Sequence, residues 1–378
     1  MCTTCSRPSD VTIINTVGTF ISTKQSCFHC MYSQVWSSQS KINRIPAGNL
    51  LLSAAISFSG SLYTKVLRLM KSMNVLMIGE STFQEHATMY QHPVIWNVWQ
   101  SQQQQLISQL RDMQGSLVIG GDGRANTPGH CAKYGQYTMM ELRLNKIADF
   151  QLVQSNEVGG SNLMETEGLV RAVEQLKTDD LEVGVIVTDR HPQIQKWLRE
   201  ELPSVTHYYD MWQKDIHENH SPLYQMCHHR PSNKQWMKQS SKACEELVSL
   251  IETKRLLKDM SKLSPLHQTS SVEAFHSVVL QFAPKLLTFG YKGMLARVCL
   301  ASMHYNENQD RLQAHNKQDK AIYTLKYPKL KRGGHTVQKR KQDATFEYVD
   351  ELMPKVFEDP RQYWEVWDQI IASPSLVL

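Results

Sequence analysis

No stretch of this 378-residue chain is long and apolar enough to cross a bilayer. The longest apolar run, Leu50–Phe58, is broken by Ser53 and falls short of the roughly 20 residues a spanning helix needs. The opening residues, Met1-Cys2-Thr3-Thr4-Cys5, lack a basic stretch leading into an apolar core, so no signal peptide is expected. There is no internal repeat. Charge of one sign is scarce too: 41 Lys+Arg face 36 Asp+Glu, for a net charge of +5. So mild a balance permits nucleic-acid binding without requiring it. A hydrophobic content of 41% with mean hydropathy −0.41 excludes disordered, collagenous and membrane-spanning classes and fits a soluble globular chain. At roughly 100–200 residues per domain, two or three domains are expected.

Cysteine placement says more than cysteine number. Four of the eight form two Cys-x-x-Cys pairs, Cys2/Cys5 and Cys27/Cys30, with the β-favouring stretches Val11–Ile14 and Phe20–Thr23 between them. Each pair offers two thiolates to one tetrahedral ion, and the ion replaces the core that so small a unit lacks. Residues 1–40 therefore read as a zinc-ribbon-like module holding structural Zn²⁺, in an intracellular chain and not a secreted disulfide frame.

Residues 41–114 read as a helical module. Leu50–Phe58 is followed by a Ser59-Gly60-Ser61 break, then Thr64–Lys71 with helical spacing, and a further helix from Ser81. Helix, turn and helix across 61–90 is either a helix-turn-helix entering a DNA groove or an ordinary packed pair, and sequence alone favours the pair. Gln102–Gln105 sits on a further, solvated helix face.

From Gly115 the pattern alternates. Ser116–Gly121 is a short strand ending on Asp122. Tyr134–Leu142 and Lys146–Gln154 form a hairpin turning at Asn145, Glu165–Lys177 is a helix, and Val183–Val187 is a buried strand reaching Asp189. Pro192–Glu201 is a helix and Val205–Tyr209 a last strand ending on Asp210. This order predicts an α/β fold with one mixed sheet flanked by helices. Ala243–Met260, Ser270–Phe282 and Gly293–Asn306 are expected to be helical, and the basic run 326–341 a solvated surface loop. The Cys227/His228/His229 cluster lacks clear partners for a metal.

Asp122 and Asp189 end adjacent apolar strands, where open α/β sheets gather their ligands. Carboxylates held together repel unless a cation neutralises them, and oxygen ligands with retained waters suit Mg²⁺ or Mn²⁺. Two such ions about 4 Å apart activate a water or a 3′-hydroxyl and stabilise the leaving oxygen of a phosphodiester.

Gly120–Ala125, Pro128–Gly135, Gln154–Gly160, Val187–His191, His207–Trp212 and Thr269–Ser277 together resemble, in this order, the catalytic blocks of transposon-derived DDE transposases with an RNase H-like core, near the P-element, hAT and Kolobok groups. Pro46–Ala54 and Ser81–Phe83 resemble upstream parts of the same group. The resemblance implies an RNase H-like core over 115–283 and a helical, basic C-terminal segment over 284–378. It also implies Mg²⁺ or Mn²⁺ held by Asp122, Asp189 and Glu273, with Asp210 and Trp212 as accessory residues. Metal-dependent DNA cleavage and strand transfer in the nucleus follow, with DNA and a second copy of the chain as partners and no membrane. Two departures stand out. Gln213 replaces the histidine that follows the tryptophan in the family's Asp-x-Trp-His element, and glutamine cannot shuttle a proton near neutral pH. The helical insertion expected after that element is missing, so the resemblance implies a transposase-derived protein without implying that this copy cuts. A domesticated, non-catalytic DNA-binding protein and a zinc-stabilised interaction scaffold are the competing expectations.

Overall fold

The computed structural model describes residues 1–127, 132–161, 163–189, 191–209, 267–329 and 333–371, with isolated residues between 241 and 264. Asp210, Trp212, Gln213, the Cys227/His228/His229 cluster and most of the expected helix 243–260 lie outside the described residues.

Three antiparallel strands, β1 (Asp10–Val17), β2 (Phe20–Ser26) and β3 (Ser33–Ser37), form a sheet in that order. Its own core is minimal: every residue of β1 and β3 is exposed, and β2 buries only Phe20 and Ser22. The β1–β2 turn passes through Gly18 at φ +56°, where a Cβ would meet Asn49 Oδ1 at 2.8 Å. Buried Asn49 clamps this turn, accepting from the Thr19 N–H (2.9 Å) and hydroxyl (2.7 Å) and donating to the Val17 carbonyl (2.7 Å).

A two-stranded hairpin, β4 (Lys41–Ile42) and β5 (Ile45–Pro46), leads into α1 (Ala47–Phe58), α2 (Tyr63–Ser72) and α3 (Glu80–His86). A π-helical turn, Ala87–Gln91, then joins α3 to the long α4 (His92–Arg111). The Tyr63 ring stacks on Phe83 with centroids 4.6 Å apart, and both pack with Ile56 and Ile78. Helices α2 and α3 thus pack together with α1 around a small core.

The central sheet has the order β10-β9-β6-β7-β8. Strands β6 (Leu117–Ala125), β7 (Tyr134–Glu141) and β8 (Lys146–Gln154) form an antiparallel meander, with Asn145 at φ +51° in the second turn. Helices α5 (Met164–Thr178) and α6 (Pro192–Glu201) carry the chain to β9 (Val183–Thr188) and β10 (Thr206–Tyr209), which extend the sheet from β6 in parallel. The chain is therefore a mixed α/β fold. One expectation shifts: β6 does not stop at Asp122 but runs to Ala125, because its pairing with β7 continues to Ala125 opposite Gly135 after its pairing with β9 has ended at Gly120 opposite Val187.

Apolar residues fill both faces of the sheet, as the near-continuous burial of β7 requires. Ile119, Tyr137, Met139 and Ile186 pack on α5, α6 and the end of α4. Met140, Ile147 and Val187 face a larger core built by α1, α4, α7 (Ser270–Phe282), α8 (Tyr291–Asn308), α9 (Glu347–Lys355) and α10 (Arg361–Ile371). The basic run, expected as a loop, contributes to an exposed two-stranded ribbon, β11 (Tyr323–Lys326) with β12 (Thr336–Lys339). Alternating β-formers such as Tyr323, Leu325 and Val337 are enough to close it.

Asp149, on β8, is buried, accepting from Gln151 Nε2 (2.8 Å) and Gln103 Nε2 (3.3 Å). Burial outweighs these bonds and pushes its carboxyl up to about 6. A carboxyl raised in the fold binds its proton more tightly there than in the unfolded chain. Its stabilising contribution is whole below about pH 4 and is lost as pH rises through about 6. Asp149→Asn is therefore expected to stabilise the protein at pH 8 by about 2–3 kcal/mol relative to pH 4. Urea unfolding of both proteins at the two pH values measures it, and parallel pH dependences would refute the assignment.

Candidate functional site

The four cysteine sulfurs all lie within 4.8 Å of one another. Cys2 and Cys5 precede β1, and Cys27 and Cys30 sit in the β2–β3 connection. Sγ of Cys2 and Cys30 are 3.5 Å apart, those of Cys5 and Cys27 3.6 Å. Around a tetrahedral ion with bonds near 2.3 Å, sulfurs lie about 3.8 Å from one another. The group could therefore hold a metal ion and is compatible with structural zinc. Burial raises the Cys2 thiol, but the backbone N–H groups of Cys5 and Thr4 and the neighbouring thiols bring it down to about 6. At Cys30 the Tyr32 N–H lowers the thiol, yet burial and the three other sulfurs prevail and push it up to about 12. Four thiolates do not coexist here without a cation to balance them.

The second site is at the end of the central sheet. Asp122 and Asp189 each stand two residues beyond the last parallel pair, Gly120 with Val187, so the pleat puts both carboxylates level and on the same face. Asp122 is opposite Thr138 on β7. From α7, His276 approaches on that face: Nδ1 is 3.4 Å from Asp122 Oδ2 and Nε2 is 3.2 Å from the Thr138 hydroxyl. Gln136 Nε2 donates to the same hydroxyl at 3.1 Å.

Helix α5 brings a third carboxylate from the other face. Glu165, in its first turn, packs against Gly123, where a Cβ would lie 2.5 Å from Glu165 Cγ. Burial first, then the charges of Asp189 and Asp122, push Glu165 up to about 7. Asp189 is raised by burial and by Asp122, with the nearby His191 pulling the other way. Burial and the three acids Glu165, Asp122 and Asp189 together raise the phenol of Tyr137, whose hydroxyl, beneath Gly121, is buried with no hydrogen-bond partner among the described residues. Asp189 and Asp122 hinder the ionisation of Glu165, and Asp122 that of Asp189, an arrangement that suits a hard cation. Among the described residues the three carboxylates do not close on one point as the cysteines do.

Glu273 lies one turn before His276 on α7, in that helix's first turn, and is exposed. Among the described residues no hydrogen bond or ion pair joins it to Asp122 or Asp189. The side chain that α7 presents to Asp122 is His276. Sequence reasoning singled out neither His276 nor Glu165. Gly123 carried the available signal for Glu165, since a strand glycine marks a close approach.

Helix α7 is seated from both ends. Arg124 Nη2, two residues along β6 from Asp122, donates to the Ala283 carbonyl at 3.1 Å. Ser271 donates to Asn145 Oδ1 at 2.8 Å, and Tyr305 donates to the Ser271 carbonyl at 3.1 Å. Phe275, Val279 and Phe282 bury the inner face.

No protein-family model matches this chain, and no curated protein sequence is similar to it.

Proposed function

We propose that the chain is a transposase-derived DNA-binding protein with an RNase H-like core, whose sheet-end acids take Mg²⁺ or Mn²⁺ for phosphodiester cleavage and strand transfer. The observation that carries this is the level placement of Asp122 and Asp189 on adjacent parallel strands, with Glu165 drawn into the same field. The strand order, a three-strand meander extended by two parallel strands, is the arrangement an RNase H-like core calls for. In this reading Asp122 and Asp189 are the primary metal ligands, Glu273 is the third that the resemblance implies, one helical turn from His276, and Glu165 tunes the two aspartates from the opposite face of the sheet. The bound metal would activate the attacking water or 3′-hydroxyl and offset charge on the leaving oxygen. The N-terminal cysteines hold Zn²⁺ as structure, the protein acts in the nucleus, and two copies cooperate on DNA ends.

The test is cleavage of labelled duplex DNA with Mg²⁺ or Mn²⁺, wild type against Asp189→Asn. Nicking that needs the metal and disappears in the variant supports the reading. Gly123→Ala extends it: the new Cβ displaces Glu165, and a shift of about 1 Å costs on the order of 10²-fold in rate. If Gly123→Ala cuts as fast as wild type, Glu165 has no part in the chemistry.

A second reading is a domesticated, non-catalytic DNA-binding protein, favoured by Gln213 in place of histidine and by the exposed β11–β12 ribbon with Lys326, Lys339 and Arg340. It predicts no cutting, but salt-sensitive duplex binding that survives Asp189→Asn.

A further inference from the structure

Away from the sheet-end acids, the N-terminus of α8 opens into a cavity of about 250 Å³ between α8, α4 and the π-helical turn. Its wall includes Lys292, Arg297, His92, Thr88 and Thr288, and among the described residues no carboxylate lines it. Arg297 donates one N–H to the Phe282 carbonyl at 2.7 Å and lies 4.4 Å over the Phe289 ring. Its other N–H groups make no hydrogen bond among the described residues. Lys292 has only Asp368, at 3.8 Å, and that carboxylate is 70% exposed, so the pair is weak.

His92 supplies an observation independent of the helix end. Its Nδ1 is buried with no hydrogen-bond partner among the described residues, and its Cε1 lies 3.9 Å from where a Gly293 Cβ would stand. Burial, then the charges of Arg297 and Lys292, hold the imidazole down at about 3. Two cations, a half-buried imidazole and a helix N-terminus that no side chain caps converge on one small space, where among the described residues the only carboxylate near either cation is the exposed Asp368. The open N–H groups of a helix's first turn add positive potential to such a space.

We infer that this cavity binds a phosphate group, with Lys292 and Arg297 as its charged donors, His92 and the first turn of α8 completing the cradle. A volume of about 250 Å³ takes one tetrahedral oxyanion with its immediate substituent. Two sources share that chemistry, a terminal or free phosphate and an internal phosphodiester of a nucleic-acid strand.

The experiment titrates the full-length protein with inorganic phosphate in EDTA, following the His92 ring signals by NMR. Chelation removes the sheet-end metals, so failure here speaks only of the cavity. Saturable shifts and a rise in the His92 pKa are expected, with affinity about tenfold weaker in Lys292→Gln and in Arg297→Gln. Lys292 is half exposed, so its variant keeps the fold even if the Arg297 variant loses it. Competition by a dinucleotide with no terminal phosphate assigns the cavity to the strand backbone, and its absence assigns it to terminal or free phosphate. Shifts that do not saturate, that chloride reproduces, or that Lys292→Gln leaves unchanged overturn the inference.

Discussion

Asp122→Asn is expected to lower metal-dependent nicking by on the order of 10²–10³-fold while making the metal-free protein more stable. The two effects have one origin. Asparagine keeps the size of the side chain and can still hydrogen-bond His276 Nδ1. The charge is what disappears. Glu165 and Asp189 are both raised partly by the charge on Asp122, so removing it relieves them, and the apo protein gains most above pH 7, where Glu165 is ionised. With Mg²⁺ present the order reverses, because the cation has lost a ligand. Melting temperatures in EDTA and in Mg²⁺, measured beside the cleavage assay, separate these contributions. A variant that neither loses nicking nor gains apo stability would show that the acids do not share a field.

Cys27→Ser is expected to release the bound metal and unfold residues 1–40. The argument is one of missing alternatives. The ribbon buries Phe20 and the sulfurs of Cys2 and Cys27 and very little else. A three-stranded sheet without an apolar face does not hold itself together. Structural zinc in comparable small units contributes about 10–16 kcal/mol, far more than Phe20 can supply at about 1.5–3 kcal/mol. The central sheet has cores of its own on both faces and is expected to stay folded. Hydrogen exchange reads both halves at once: β1–β3 amides lose protection while β6–β9 amides keep theirs. Protection retained in β1–β3 after metal loss would mean that the Asn49 clamp on the β1–β2 turn suffices without the ion.

Much of this was legible in sequence because it was local. The cysteine spacing, the unbroken apolar run of β9, the Asn145 turn and helix Ser270–Phe282 were each written within a few neighbouring residues. Asp122 and Asp189 could be singled out because each follows such a run. Glu165 could not. A glutamate in the first turn of a helix is ordinarily there for the helix dipole, and only the register of α5 over β6 brings it to Gly123. His276 was hidden for the opposite reason: Glu273, three residues earlier, matched the resemblance and drew attention away from it. The π-helical turn Ala87–Gln91 left no trace, since one extra residue per turn alters no hydrophobic pattern over so short a span. The β11–β12 ribbon was masked by its lysines, which read as solvent whether the backbone is paired or not.

The seat of α7 bears on the shortening that the resemblance implies for this chain. Arg124, Asn145 and Tyr305 fasten the helix at both ends, and none of them belongs to the stretch between Tyr209 and Ser270 where the chain is shorter than its resemblance implies. Between two ends fastened in this way the closure entropy of a connecting chain changes by only about 0.6 kcal/mol per doubling of its length. A connection lengthened by some tens of residues is therefore expected to leave the contact between His276 and Asp122 in place, as the histidine's ring signals would report.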